Sequence, residues 1–131
     1  VMAITTAKVP IVKFTANLTD DDGAERFRFD GDISYYNELA LHNTDLLEAY
    51  CGWAPDKLPQ LGIFVKRWAK ACEIGDASRG SLSSYAYVIL LIHFLQRTEP
   101  PVLPILQERG ELKEHIVCDW NVAFDHSEPD V

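Results

Sequence analysis

The sequence predicts an α+β fold in which a short strand hairpin is followed by three helices. The first observation is a change of period. Apolar residues alternate up to about Ser34, and from Tyr36 onward they recur at helical spacing. The second is punctuation: Gly52 with Pro55, the small-residue run from Gly75 to Gly80, and Pro100 with Pro101 divide the later part into three helical segments. The third is bulk. With 131 residues, 47% of them hydrophobic, the chain can bury a core.

The first strand is expected in "AKVPIVKF", Ala7 to Phe14, which is rich in β-branched residues, with Pro10 suggesting an edge position or a bulge. The turn-rich "NLTDDDGAE" leads into "RFRFDGDIS". There Phe27, Phe29 and Ile33 fall on one face and Arg26, Arg28, Asp30, Asp32 and Ser34 on the other, the pattern of a half-buried strand. The first helix runs from Tyr36 to Cys51 with Leu39, Leu46, Leu47 and Tyr50 on one face. The second runs from about Pro55 to Cys72, with a stripe of Leu58, Leu61, Val65, Trp68 and Cys72 and with Gly75 as its stop. The third, Leu82 to about Arg97, is apolar nearly all round, which predicts a central place in a helical bundle. Ser81 is its expected N-cap and Pro100 its end. Beyond it, "HIVCDWNVAF" reads as one more short strand.

Composition excludes several classes. The longest apolar run, Tyr85 to Leu95, is short of the roughly 20 residues that cross a bilayer, so no membrane span is expected. A formal charge of -8 argues against a protein that coats a DNA duplex, since that binding rests on a broad basic face. The N-terminal "VMAITTAKVP" has no signal-peptide pattern, and Cys51, Cys72 and Cys118 lack metal-ligand spacing. They are read as reduced core thiols of a cytoplasmic protein.

A few residues carry chemistry. Asp30 and Asp32 lie two apart on one strand face, where carboxylates can hold a divalent cation with substrate phosphates. Arg26 and Arg28 on that face offer simple neutralisation instead. Asn43 falls in the apolar stripe of the first helix, where a buried amide needs a partner in the backbone or, together with Thr44, a ligand hydroxyl. Lys66 and Lys70, four apart, project side by side and suit an anion, although a solvated basic edge with Arg67 accounts for them as well. Ser84 stands in the first turn of the third helix, whose free amides favour phosphate, and Tyr85 offers a flat ring for a base. Together these are the parts that nucleotidyl transfer needs: carboxylate for metal, cations and a helix start for a triphosphate, an amide for a ribose and an aromatic for a base.

"AKVPIVKF", "GDISYYNELALHNTDLL", "VKRWAK" and "GDASRGSLSSYAYVILLIHFLQ", followed by "PPVLPILQE" and "DWNVAFD", resemble the terminal uridylyltransferases, non-templated RNA 3′-end nucleotidyltransferases of the polymerase-β superfamily. The resemblance runs over nearly the whole chain. It implies that residues 1–34 are the last strands of a nucleotidyltransferase palm and residues 35–131 most of a helical central domain, each incomplete. It implies Asp32 as a catalytic carboxylate and metal ligand, Asn43 and Thr44 near the ribose of UTP, Lys66, Lys70 and Ser84 on the triphosphate, and Tyr85 stacked on uracil. Asp30 does not follow the Gly-Ser helix start that precedes the family's first two carboxylates, and His126 does not sit in the motif of the base-selecting histidine, which falls beyond Val131.

The implied function is transfer of uridines from UTP to a single-stranded RNA 3′ end with Mg²⁺ or Mn²⁺ as cofactor. The intact parent is the expected enzyme and the 131-residue chain by itself is expected to be inactive. A related poly(A) polymerase and a non-catalytic module that binds nucleotide or a protein partner are the other readings these residues allow.

Overall fold

A computed structural model describes residues 1–6, 9–127 and 129, apart from the side chain of Ser78. The chain divides into two compact units, Val1–Leu41 and His42–Val131.

The first unit is built on a three-stranded antiparallel sheet in which β1 (Met2–Ile4), β2 (Ile11–Thr19) and β3 (Glu25–Ser34) lie in sequence order. β1 was not expected, and it makes β2 the middle strand. Pro10 falls just before β2, so its missing N–H is not asked of the ladder, and no edge position is needed. Of the expected first strand, Ala7 and Lys8 lie outside the described residues. The β2–β3 turn is closed by the Asp20 carboxylate, which accepts the Ala24 N–H at 2.9 Å, and by Gly23 at φ 81°, a conformation glycine adopts without penalty.

Register assigns the faces of this sheet. Val12 pairs with Ile33, Phe14 with Gly31, Ala16 with Phe29 and Leu18 with Phe27, so one face is apolar. Lys13 with Asp32, Thr15 with Asp30 and Asn17 with Arg28 make the other polar. A bulge at Leu18/Thr19 skips Arg26, which therefore drops out of the regular polar row. The expected half-burial of β3 does not occur: Phe27, Phe29 and Ile33 are exposed, Ile33 at 60%.

The second unit contains the core. α1 (Glu38–Trp53) begins in the first unit and carries Tyr50 into a cluster with Leu58, Ile92, Leu95, Leu103, Leu106 and Phe124. Tyr50 is also a polar hub. Its hydroxyl donates to Gln107 Oε1 at 2.8 Å and accepts from Gln96 Nε2 at 2.8 Å and from the Leu106 N–H at 3.3 Å, tying α1 to α3 and to the segment after it. Burial pushes the Tyr50 pKa up, and its hydrogen bonds partly oppose that.

α2 (Leu58–Ala71) packs against α3 (Ser84–Gln96), but its buried line is Leu58, Gly62 and Ala69 rather than the expected stripe. Leu61, Trp68 and Cys72 are exposed, Trp68 at 47%, and the Trp68 ring meets Tyr87 of α3 edge-on at 6.1 Å. Gly62 is buried without being a close-approach point, since a Cβ there would meet nothing within 4 Å. α2 also stops earlier than Gly75. Glu73 takes a left-handed φ of 57°, its N–H bonds to the Lys70 carbonyl, and the Ile74 N–H bonds to the Ala69 carbonyl, so Glu73 fills the place a glycine usually takes. Gly75 is needed for space instead: a Cβ there would stand 3.3 Å from Ala69 Cβ.

Two further expectations change. The N-cap of α3 is Ser83, whose hydroxyl accepts from the Ala86 N–H at 3.2 Å, and Ser81 lies outside the helix. α3 is also not buried all round, since Leu90 and Phe94 are exposed, Phe94 at 63%. The last expected strand is a hairpin of β4 (Ile116–Val117) and β5 (Trp120–Asn121). It turns through Cys118 and Asp119 at φ 49° and 67°, the signature of a tight two-residue turn. All three thiols are free; Cys72 and Cys118 are exposed rather than core residues, while half-buried Cys51 packs against the core cluster. Among the described residues no helix is long and apolar enough to cross a membrane.

Candidate functional site

Three of the residues singled out in the sequence line one cleft of about 480 Å³ in the second unit: Lys66, Lys70 and Ser84. The helical period explains the lysines, since residues four apart on α2 lie one above the other. The connection between α2 and α3 supplies the rest of the lining, with Glu73, Gly75, Asp76 and Arg79, while Arg67 joins from α2. Among the described residues none of the four cations is in an ion pair. Four positive groups and two carboxylates give the cleft a net positive wall, on a chain whose formal charge is -8.

The start of α3 adds a second source of positive potential. Ser83 caps one backbone amide, and the remaining free N–H groups of the first turn lie at Ser84 and its neighbours, where a helix favours anions. Next to Ser84, Tyr85 donates its hydroxyl to Asn43 Oδ1 at 3.1 Å, joining α3 to α1. Asn43 is exposed, so it is not the buried core amide expected in the stripe of α1. Its oxygen is engaged by Tyr85, and its amide N–H groups remain able to donate. Burial raises the Tyr85 pKa, keeping the phenol protonated and able to hold that bond. Thr44 follows Asn43 in α1.

Asp32 belongs to the first unit. Its side chain is on the polar face of β3, exposed, directly across from Lys13. Asp30 is on the same face, but its carboxylate accepts the Thr15 hydroxyl at 2.6 Å, a local bond between paired strands. Gly31 separates the two, and the Phe14 ring lies over it so closely that a Cβ would meet Phe14 Cζ at 2.7 Å. Among the described residues no three His, Cys, Asp or Glu side chains gather as a metal site.

Sequence reasoning missed Arg79, Glu73 and Asp76 in the cleft. A signal for Arg79 was present: a lone arginine inside the small-residue run "GDASRGS".

Comparison with known proteins decides the family. Human Terminal uridylyltransferase 7 is 50% identical over 127 residues, 95% of this chain and 8% of that protein. Terminal uridylyltransferase cid1 of Schizosaccharomyces pombe is 36% identical over 126 residues, 95% of this chain and 30% of its own length. The chain belongs to the terminal uridylyltransferase family. It also superposes on a crystal structure of the Cid1 poly(U) polymerase bound to MgATP with a TM-score of 0.80 and 35% identity, covering 99% of this chain and 39% of that one. A family model described as "Poly(A) RNA polymerase, mitochondrial-like, central palm domain" matches residues 1–52. Poly(A) RNA polymerase GLD2 of Rattus norvegicus is 40% identical over 102 residues, 78% of this chain and 19% of that protein. This member of the terminal uridylyltransferase family therefore spans less than a third of the full length of Terminal uridylyltransferase 7, cid1 or GLD2.

Proposed function

We propose that this chain is part of an RNA uridylyltransferase and that it binds the UTP whose uridylyl group is transferred to a single-stranded RNA 3′ end. In this reading residues 1–34 are the last strands of the palm and residues 35–131 belong to the helical central domain. The observation that supports it most is the cleft that gathers Lys66, Lys70 and Ser84 beside the Tyr85–Asn43 bond. Lys66 and Lys70 act as point charges on the triphosphate, and the amides at the start of α3 with the Ser84 hydroxyl complete its shell. Tyr85 presents its ring to uracil while its hydroxyl is held by Asn43, and the Asn43 amide N–H groups with Thr44 serve the ribose.

Asp32 is the residue of this chain that holds Mg²⁺ or Mn²⁺. An ion held there would supply charge neutralisation for the phosphoryl group undergoing transfer. Lys13 pairs with Asp32 across the ladder on the same polar face. A cytoplasmic location fits the exposed free thiols Cys72 and Cys118, which persist in a reducing compartment.

The test is UTP binding and 3′ extension of an RNA primer by the intact enzyme. Lys66→Ala or Lys70→Ala weakens UTP binding by about tenfold, the loss of a charge-assisted hydrogen bond, and leaves thermal stability unchanged. Asp32→Ala removes metal-dependent transfer with the sheet intact. Unchanged UTP affinity in both lysine variants returns them to a solvated edge. A second reading, a poly(A) polymerase, is favoured by the 40% identity to GLD2. Extension with ATP in preference to UTP selects it.

A further inference from the structure

The turn between α2 and α3 holds a cation that the reading above does not use. Arg79 ends the short 3₁₀ turn Ala77–Arg79 and lines the same cleft as Lys66, Lys70 and Ser84. It is exposed and, among the described residues, in no ion pair, although Glu73 and Asp76 line the cleft too. A guanidinium beside two lysines adds to a positive potential that Glu73 and Asp76 offset only in part, and such a cleft favours a further anion. The planar fork of the guanidinium also matches a phosphate in two bonds, which a lysine cannot do.

The turn that carries Arg79 is clasped at its base. The Ser81 hydroxyl donates to the Asp76 carbonyl at 2.7 Å, and the Asp76 N–H donates to the Ser81 oxygen at 3.0 Å, so one side chain binds both backbone groups of one residue. The Arg79 N–H closes onto the same Asp76 carbonyl at 3.1 Å. Gly80, at φ 82°, lets the chain double back without strain. A helix cap would explain Ser81 from sequence, but Ser83 does that work. The Ser81 bonds act instead on the loop that presents Arg79.

We propose that Arg79 is a phosphate-contacting residue of the nucleotide cleft, and that Ser81 is the positioning residue that holds the Arg79 turn against it. The inference rests on the nucleotide reading of the cleft and names a further residue of that site. Arg79 adds a bidentate contact to the triphosphate, whereas a nucleoside monophosphate, with fewer phosphate oxygens to offer, gains less from it.

The experiment is UTP-dependent extension and UTP and UMP binding by the intact enzyme. Arg79→Ala raises the KM for UTP about tenfold with kcat changed far less, and it narrows the preference for UTP over UMP. Arg79→Gln, which keeps the side chain's bulk, behaves like Arg79→Ala, and Arg79→Lys recovers part of the loss. Ser81→Ala shifts KM the same way by a smaller factor, and Ser81→Thr, which keeps the hydroxyl, restores it. A KM for UTP unchanged in Arg79→Ala and Arg79→Gln, while Lys66→Ala raises it, overturns the Arg79 assignment and leaves the cleft reading standing. Unchanged UTP binding in the Lys66, Lys70 and Arg79 variants alike overturns both.

Discussion

The two units of the chain solve the burial problem in opposite ways. Among the described residues every buried hydrophobic, from Tyr50 to Phe124, belongs to the second unit, whereas the sheet of the first leaves Leu18, Phe27, Phe29 and Ile33 exposed on its apolar face. The helical unit closes its own core around Leu103 and Leu106 and fastens it through Tyr50. The sheet carries the exposed carboxylate of Asp32 on a regular polar face but gains its order from strand pairing rather than from a core. The residues proposed for function in each unit therefore draw their rigidity from different sources. The cleft residues stand on helices anchored in packed apolar side chains, and Asp32 stands on a hydrogen-bonded ladder.

Substitutions in the two units should therefore weigh very differently. Leu106→Ala, which opens a cavity at a fully buried position, is expected to cost about 2–5 kcal/mol in chemical denaturation. Ile33→Ala, on the exposed sheet face, is expected to stay within about 0.5 kcal/mol. Equal effects at the two positions would break the contrast. At an intermediate scale, Ser83→Ala removes the cap of α3 and should cost about 1 kcal/mol, while Ser81→Ala, outside the helix, should cost less in stability and more in KM.

The smallest effect is a pH dependence. Hydrogen bonds from the Ser127 hydroxyl and N–H, helped by Arg109 at 3.3 Å, lower the Asp125 pKa. A carboxylate with a depressed folded pKa contributes stability above its unfolded value, near 3.9, and loses it as pH falls through the folded value. The difference in thermal midpoint between the wild type and Asp125→Asn should shrink as pH is lowered from about 5 to about 2. A constant difference would remove Asp125 from the helical unit's electrostatics.

Much of this was legible in the sequence because period and spacing report faces. The i, i+4 spacing of Lys66 and Lys70 put them side by side, the alternation in "RFRFDGDIS" separated Phe27 from Asp32, and Ser84 with Tyr85 fell at the start of a helix. What was not legible depended on partners distant in sequence or on unusual backbone. The buried residues of α2 are Leu58, Gly62 and Ala69, and α2 packs against α3, a tertiary contact that no single-helix pattern shows. The end of α2 near Cys72 was legible, but Glu73, Cys118 and Asp119 take left-handed conformations that sequence assigns first to glycine, hiding the residue that terminates α2 and the β4–β5 turn. Ser81 and Ser83 are equally good caps on paper, and only the Asp76 clasp separates them.

The central claim is that the cleft between α2 and the start of α3 holds the triphosphate of UTP. A crystal structure of the intact enzyme with a non-hydrolysable UTP analogue tests it most directly. The expected result has phosphate oxygens within hydrogen-bond reach of Lys66, Lys70, Arg79 and the Ser84 N–H, with the uracil on the Tyr85 ring. A triphosphate bound elsewhere, with Lys66 and Lys70 facing solvent, would contradict it.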